Sequence, residues 1–229
     1  MLVSHRHRFI YTKTKKTAGT SVESYFERFC MPEGEWEEAH YRDEYVSDSG
    51  IIGFRGEKSP TNATWWNHMP AADIKRLLGD EVWNSYFKFC VVRNPYDKCI
   101  SAFEHFGKRK RKNLFSFLGA FTNPGMTRDQ RRFLDYVKRH PPVDRNTYVI
   151  DGEFCLDDVI RYEALEDGIA KICERLSLPF EPEYLPKFKK GKRRECATAD
   201  LLYTPQSRSC VEESFEFEIK RFGYEYPAS

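Results

Sequence analysis

No apolar run in this 229-residue sequence approaches the ~20 residues needed to cross a bilayer, so nothing in it reads as a membrane span. The charged start, Met1 to Arg8, is followed by no signal-peptide core, because the apolar run after it is interrupted at Lys13. No C-x-x-C pair occurs among Cys30, Cys90, Cys99, Cys155, Cys173, Cys196 and Cys210, and an odd count of 7 cannot be fully paired. Thiols in apolar or helical contexts act as small hydrophobes, which fits a reducing compartment. Cytoplasmic localisation is therefore expected, and the sequon Asn62-Ala63-Thr64 carries no weight. Internal repeats and low-complexity segments are absent. A strong net charge is missing as well: the total is +2, too little for a general polyanion-binding surface. The charge is uneven, with acid gathered over 33–48 and base over Lys108–Lys112 and Lys187–Arg194.

What is present is globular. Hydrophobic residues make up 40%, charged residues 31% and aromatics 15%, enough for a substantial core in one domain spanning 1–229. The stretch Phe9–Thr12 is apolar and aromatic, and gives way to a loop of lysines, threonines and one glycine, Lys13 to Ser21. Val22, Tyr25, Phe26 and Phe29 then recur at helical spacing. Strand, small-residue cationic loop and helix thus follow one another over strand 7–13 and helix 19–30. Loop N–H groups, hydroxyls and a helix N-terminus would converge there on an anion such as phosphate.

Further along, Ile51 to Phe54 reads as a short strand, and Pro70 opens a helix that Gly79 closes. Tyr86 to Val92 is the strongest strand, running into Arg93-Asn94-Pro95 and a helix over 96–106. Helices are predicted around 114–120, 127–139 and 165–176, a strand over 159–162, and a closing helix over 205–222. The alternation implies an α/β domain with a mainly parallel central sheet flanked by helices, the P-loop-like strand–loop–helix standing at the N-terminus. In such sheets ligands bind beyond the carboxyl ends of strands, where both the 13–21 and 93–101 loops fall.

The P-loop of NTPases requires G-x-x-x-x-G-K-[ST]. Here Lys16 precedes the only glycine, Gly19, and the strand ending at Val92 supplies Arg93 instead of a magnesium-binding aspartate. Lys16-Thr17-Ala18-Gly19-Thr20-Ser21, followed by Arg93-Asn94-Pro95-Tyr96-Asp97-Lys98-Cys99-Ile100-Ser101, resembles the sulfotransferases that use 3′-phosphoadenosine 5′-phosphosulfate (PAPS). The likeness is closer to the bacterial and carbohydrate-type branch than to the cytosolic phenol and steroid enzymes. Weaker resemblance runs over Val159 to Leu165 and Phe222-Gly223-Tyr224.

This resemblance implies transfer of a sulfuryl group from PAPS to an acceptor hydroxyl, a sugar or small metabolite being favoured, with release of adenosine 3′,5′-bisphosphate and no metal. It assigns Lys16 to the bridging oxygen of the phosphosulfate, Thr17, Ala18, Gly19, Thr20 and Ser21 to the 5′-phosphate loop, and Arg93 and Ser101 to the 3′-phosphate. The C-terminal Arg-Lys-Gly signature of the cytosolic branch is missing; Lys187–Arg194 could replace it as a basic lid, with Lys190 and Arg193 as phosphate contacts. His68 is the first candidate base, with capping of the Pro70 helix as its alternative, and Glu57 is the second. His40 and His105 come after these, while His5, His7 and His140 look peripheral. Trp65 and Trp66 either line an acceptor pocket or belong to the core. Lys13 and Lys15 are expected to flank the loop without joining Lys16 at the anion, with solvated lysines as the alternative. A nucleotide kinase and a basic nucleic-acid-binding module are the competing classes; the resemblance implies neither a nucleic-acid nor a membrane partner.

Overall fold

The computed structural model describes residues 1–56, 62–107, 125–186 and 198–227. They fall into two units, Met1–Val92 with Asp144–Lys190, and Arg93–Val143 with Gly191–Ser229. In chain order the first unit holds β1 (Leu2–Ser4), β2 (Phe9–Thr12), α1 (Gly19–Glu27), β3 (Tyr45–Ser47), β4 (Gly50–Ile52), α2 (Ala71–Leu78), α3 (Asp80–Ser85) and β5 (Phe87–Val92). Helices α4 (Pro95–Ala102) and α5 (Arg128–Arg139) belong to the second unit. The first unit resumes with β6 (Val149–Ile150), β7 (Glu153–Phe154), β8 (Asp158–Arg161) and α6 (Leu165–Arg175). Helices α7 (Ala199–Leu202), α8 (Pro205–Ser214) and α9 (Glu216–Phe222) complete the second.

In the first unit a six-stranded sheet runs in the order β3-β4-β1-β2-β5-β8. Its core, β2-β5-β8, is parallel, as the alternation of strands and helices predicts. Strands β1, β4 and β3 extend it antiparallel, so the whole sheet is mixed. Period-two alternation clothes both faces. Phe9, Tyr11, Phe89 and Val91 pack with Val22, Phe26, Ile169 and Ile172 on one side, while Val3, Ile10 and Ile51 pack with Trp65, Ile74 and Trp83 on the other. The register Thr12↔Cys90 brings the carboxyl ends of β2 and β5 side by side.

The second unit is helical around Phe103, Phe133, Val137, Tyr203, Val211 and Phe215. Its helix starts are chemically marked. Asn94 caps α4 with Pro95 in the first turn, Thr127 and Gln130 form a capping box on α5, and Thr204 with Ser207 does the same for α8. Two expected elements change form. The helix read over 96–106 widens into a π turn at Phe103–Gly107. The closing helix over 205–222 breaks at Phe215, which is buried in this unit's core, before Gly223 (φ 62°) ends α9 as expected. The helix predicted around 114–120 lies outside the described residues. No helix among the described residues is long and apolar enough to cross a membrane.

Candidate active site

The loop joining β2 to α1 has the backbone of an anion cradle. Lys16 (φ 61°) and Ala18 (φ 56°) both take the left-handed conformation, which non-glycine residues adopt only where the surroundings hold them. The surroundings here are hydroxyls and a carboxylate. Thr14 Oγ1 donates to the Val91 carbonyl at the end of β5 and lies 2.8 Å from Thr17 Oγ1. The buried Asp144 carboxylate accepts the Lys15 main-chain N–H. Thr17, fully buried, thus spends its hydroxyl on the loop's own interior.

Helix α1 begins on this loop with no side-chain cap and no acidic residue in its first turn. Helix geometry leaves the first N–H groups, Gly19 and Thr20 among them, without an acceptor inside the helix, and the dipole adds positive potential there. Helices α4, α5 and α8 meet the same need with side-chain caps. Gly19 is required for space and not for its torsion. A β-carbon there would lie 3.1 Å from Lys13 Cγ, 3.2 Å from Lys13 Cε and 3.2 Å from the Thr14 carbonyl oxygen. Lys16, half-buried, and Lys15, exposed, flank the turn. A bound phosphate group fits this donor set: unused helix N–H groups, lysine, and no carboxylate in the helix's first turn.

Lys13 is not solvated, so that alternative fails for it. Only 2% exposed, it sends its ammonium to Glu23 Oε2 at 2.6 Å and to Asn67 Oδ1 at 2.9 Å. Glu23 stands on the buried face of α1 and is fully enclosed. It also accepts from Arg55 at 2.8 Å and from the Met1 nitrogen at 2.6 Å. Arg55 continues to Glu27 and to the His40 and Ala39 carbonyls, and Arg42 reaches Glu27 at 3.0 Å. Burial alone would raise the Glu23 carboxyl, but Lys13, the Met1 nitrogen and Arg55 hold it well below the usual carboxylate range. Sequence reading passed over this cluster. Its one local trace is that Glu23 and Glu27 lie four apart on a helix with no cation at matching spacing, so their partners had to come from elsewhere.

His68 stands against the same loop. Its Nδ1 lies 3.1 Å from the Lys13 carbonyl, and its own backbone is left-handed (φ 57°). Burial, with the Lys13 charge beside it, pulls the imidazole down to about 4. The capping alternative fails: α2 begins on Pro70 with no side-chain cap. Trp65 is buried in the core with Met69 and Ile74, and Trp66 packs partly buried against that cluster. His5 pairs with Tyr86, His140 ends α5, and His105 is exposed.

In the second unit, Arg93 follows directly on β5. Its guanidinium closes on Asp97 one helical turn ahead, Nε at 2.8 Å from Oδ2 with Nη2 on the same oxygen. Ser101 sits half-buried near the end of α4. Glu57, Lys190, Arg193 and the basic runs 108–112 and 187–194 lie outside the described residues. Among the described residues no group of His, Cys, Asp or Glu side chains is arranged to hold a metal ion.

Comparison with known proteins adds a family. The model described as "Sulfotransferase family" matches residues 1–225. The chain is also similar to a protein of Archaeoglobus fulgidus described as an "Uncharacterized protein", 33% identical over 113 residues, which is 49% of this chain and 86% of that relative. No solved structure matches.

Proposed function

The chain belongs to the sulfotransferase family, and from that premise we propose that it moves the sulfuryl group of PAPS to a hydroxyl of a small molecule or carbohydrate. The observation that carries the donor assignment is the uncapped start of α1 behind a loop of lysine, threonine and glycine. PAPS supplies a sulfuryl group already activated on a phosphate bridge, and the acceptor oxygen takes that group as the bridge breaks.

The chain's own residues divide the work. Main-chain N–H groups of Gly19 and Thr20, with the Thr20 and Ser21 hydroxyls, receive the 5′-phosphate. The Lys16 ammonium meets negative charge as it gathers on the leaving oxygen, a contribution larger in the transition state than in the ground state. Arg93 and Ser101 take the 3′-phosphate, for which a guanidinium fork is well shaped. For Arg93 this means sharing or exchanging its Asp97 partner. Neutral His68 accepts the acceptor's proton. Cys30, Cys90, Cys99, Cys155, Cys173 and Cys210 are free thiols, which suits the reducing interior proposed as its location.

Thermal unfolding provides the first test. Saturating adenosine 3′,5′-bisphosphate should raise the melting temperature by roughly 5–10 °C, as expected for a ligand near 100 Kd on a chain of this size. ATP with Mg²⁺ should do much less. The reverse order would favour the kinase class, and steeply salt-dependent binding of oligonucleotides without a bisphosphate response would favour the nucleic-acid class. Incubation with labelled PAPS and an acceptor panel then identifies the acceptor.

Gly19→Ala tests the cradle more narrowly. The added carbon must displace the Lys13 stem or the Thr14 carbonyl. Overpacking of this kind costs about 1–3 kcal/mol. The expected result is a lower melting temperature with about a tenfold loss of bisphosphate affinity by calorimetry; unchanged affinity would remove Gly19 from the site.

A further inference from the structure

Lys13 has a place in the structure that neither a donor-binding role nor a simple core role describes. It touches three things at once. Its aliphatic stem lies directly under Gly19, where a β-carbon would come within 3.1 Å of Cγ. Its ammonium is fixed on Glu23 and Asn67, at 2.6 Å and 2.9 Å. Its carbonyl oxygen lies 3.1 Å from His68 Nδ1. A carbonyl oxygen can only accept, so the hydrogen belongs to Nδ1. In the neutral ring the other nitrogen, Nε2, is then an acceptor with its lone pair available.

We propose that Lys13 is a positioning residue: through its carbonyl it holds His68 as the Nδ1-protonated tautomer, the form whose Nε2 can take a proton from an acceptor hydroxyl. The role of His68 in this statement rests on the sulfotransferase reading above; the tautomer and its cause do not. The ammonium adds a second effect. The groups facing the ring are Lys13 after β2, Glu23 on α1 and the Met1 nitrogen; the two cations oppose a positive imidazole, Lys13 the more strongly, and Glu23 favours it. Lys13 therefore favours an unprotonated ring across the neutral range as well as its orientation. Because the stem of the same residue lies under Gly19, the base and the start of α1 share one supporting residue.

The test begins on the unaltered chain without nucleotide, so it does not depend on any variant folding. Nitrogen chemical shifts of the labelled imidazole, assigned by their loss in His68→Gln, should show Nδ1–H and a bare Nε2 at pH 7. The Nε2–H tautomer would overturn the proposal. Lys13→Met keeps the stem and removes the charge, and should raise the His68 titration midpoint by about one pH unit. Lys13→Arg should leave it close to that of the unaltered chain. A Lys13 that served only the core would move the melting temperature in both variants and the midpoint in neither, and a midpoint unmoved in folded Lys13→Met would also overturn the proposal. Failure of adenosine 3′,5′-bisphosphate to raise the melting temperature would sink the sulfotransferase mechanism instead, leaving the tautomer result standing.

Discussion

Lys16→Ala should lower sulfuryl transfer from PAPS by about 10²–10³-fold while weakening adenosine 3′,5′-bisphosphate by less than about tenfold. The asymmetry follows from when charge appears. Before transfer, the bridging oxygen shares its electrons with sulfur as well as phosphorus. As the bond to sulfur breaks, negative charge collects on that oxygen, and a fixed ammonium stabilises it by about 3–4 kcal/mol in comparable sites. The resting phosphate has the loop's N–H groups and the start of α1 as well, so it loses proportionately less. The left-handed backbone at Lys16 (φ 61°) permits a second, sharper variant. Lys16→Gly removes the ammonium while suiting that torsion better than any other residue. Bisphosphate affinity near that of the unaltered chain, with turnover still down by 10²-fold or more, is the expected result. Normal turnover in either variant, measured with labelled PAPS and a working acceptor, would remove Lys16 from the chemistry.

The strand–loop–helix that carries Lys16 was legible in the sequence because it is encoded locally. An apolar strand, a loop of small residues and an amphipathic helix are all encoded within about twenty positions, and β5 with Arg93-Asn94-Pro95 repeats the logic. The parallel core β2-β5-β8 followed for the same reason. What was not legible depends on residues distant in sequence. Strands β1 and β3 have three residues each and show too little alternation to be seen without the sheet that pairs them, whereas β4 was read as a short strand from Ile51 and begins one residue earlier. The break at Phe215 reflects tertiary packing, since helical spacing runs through it on both sides. The buried place of Lys13 was not legible because its partners Glu23 on α1 and Asn67, and Arg55, which shares Glu23, are brought together only by folding. Asp144 went unseen for the same reason: it meets the Lys15 N–H from 129 positions away.

The buried cluster supports the second large expectation. Glu23→Gln should destabilise the fold by about 3–5 kcal/mol at pH 7, because it leaves the Lys13 ammonium and part of the Arg55 charge enclosed without their shared carboxylate. The effect should depend on pH, with a definite sign. Folded Glu23 holds its proton far less readily than an unfolded glutamate, whose pKa is about 4.3. Its contribution is therefore fully present above that unfolded value. Below it, the unfolded chain takes up a proton that the folded chain refuses, and stability falls by up to about 1.4 kcal/mol for each pH unit. Urea unfolding of the unaltered chain and of Glu23→Gln should accordingly show a wide gap at pH 7 that narrows below about pH 4. A gap of equal size at both pH values would show that the carboxylate's charge is not what matters. Replacing Lys13→Met together with Glu23→Leu should cost less than Glu23→Gln alone, because the Lys13 charge no longer needs a partner and Arg55 keeps Glu27, while the enclosed Met1 nitrogen loses its carboxylate in both variants. The double variant should then retain the fold, the stem beneath Gly19 and the carbonyl beside His68, and lose only the Lys13 charge that faces the imidazole, which places the cluster's main consequence at the loop and not in overall stability.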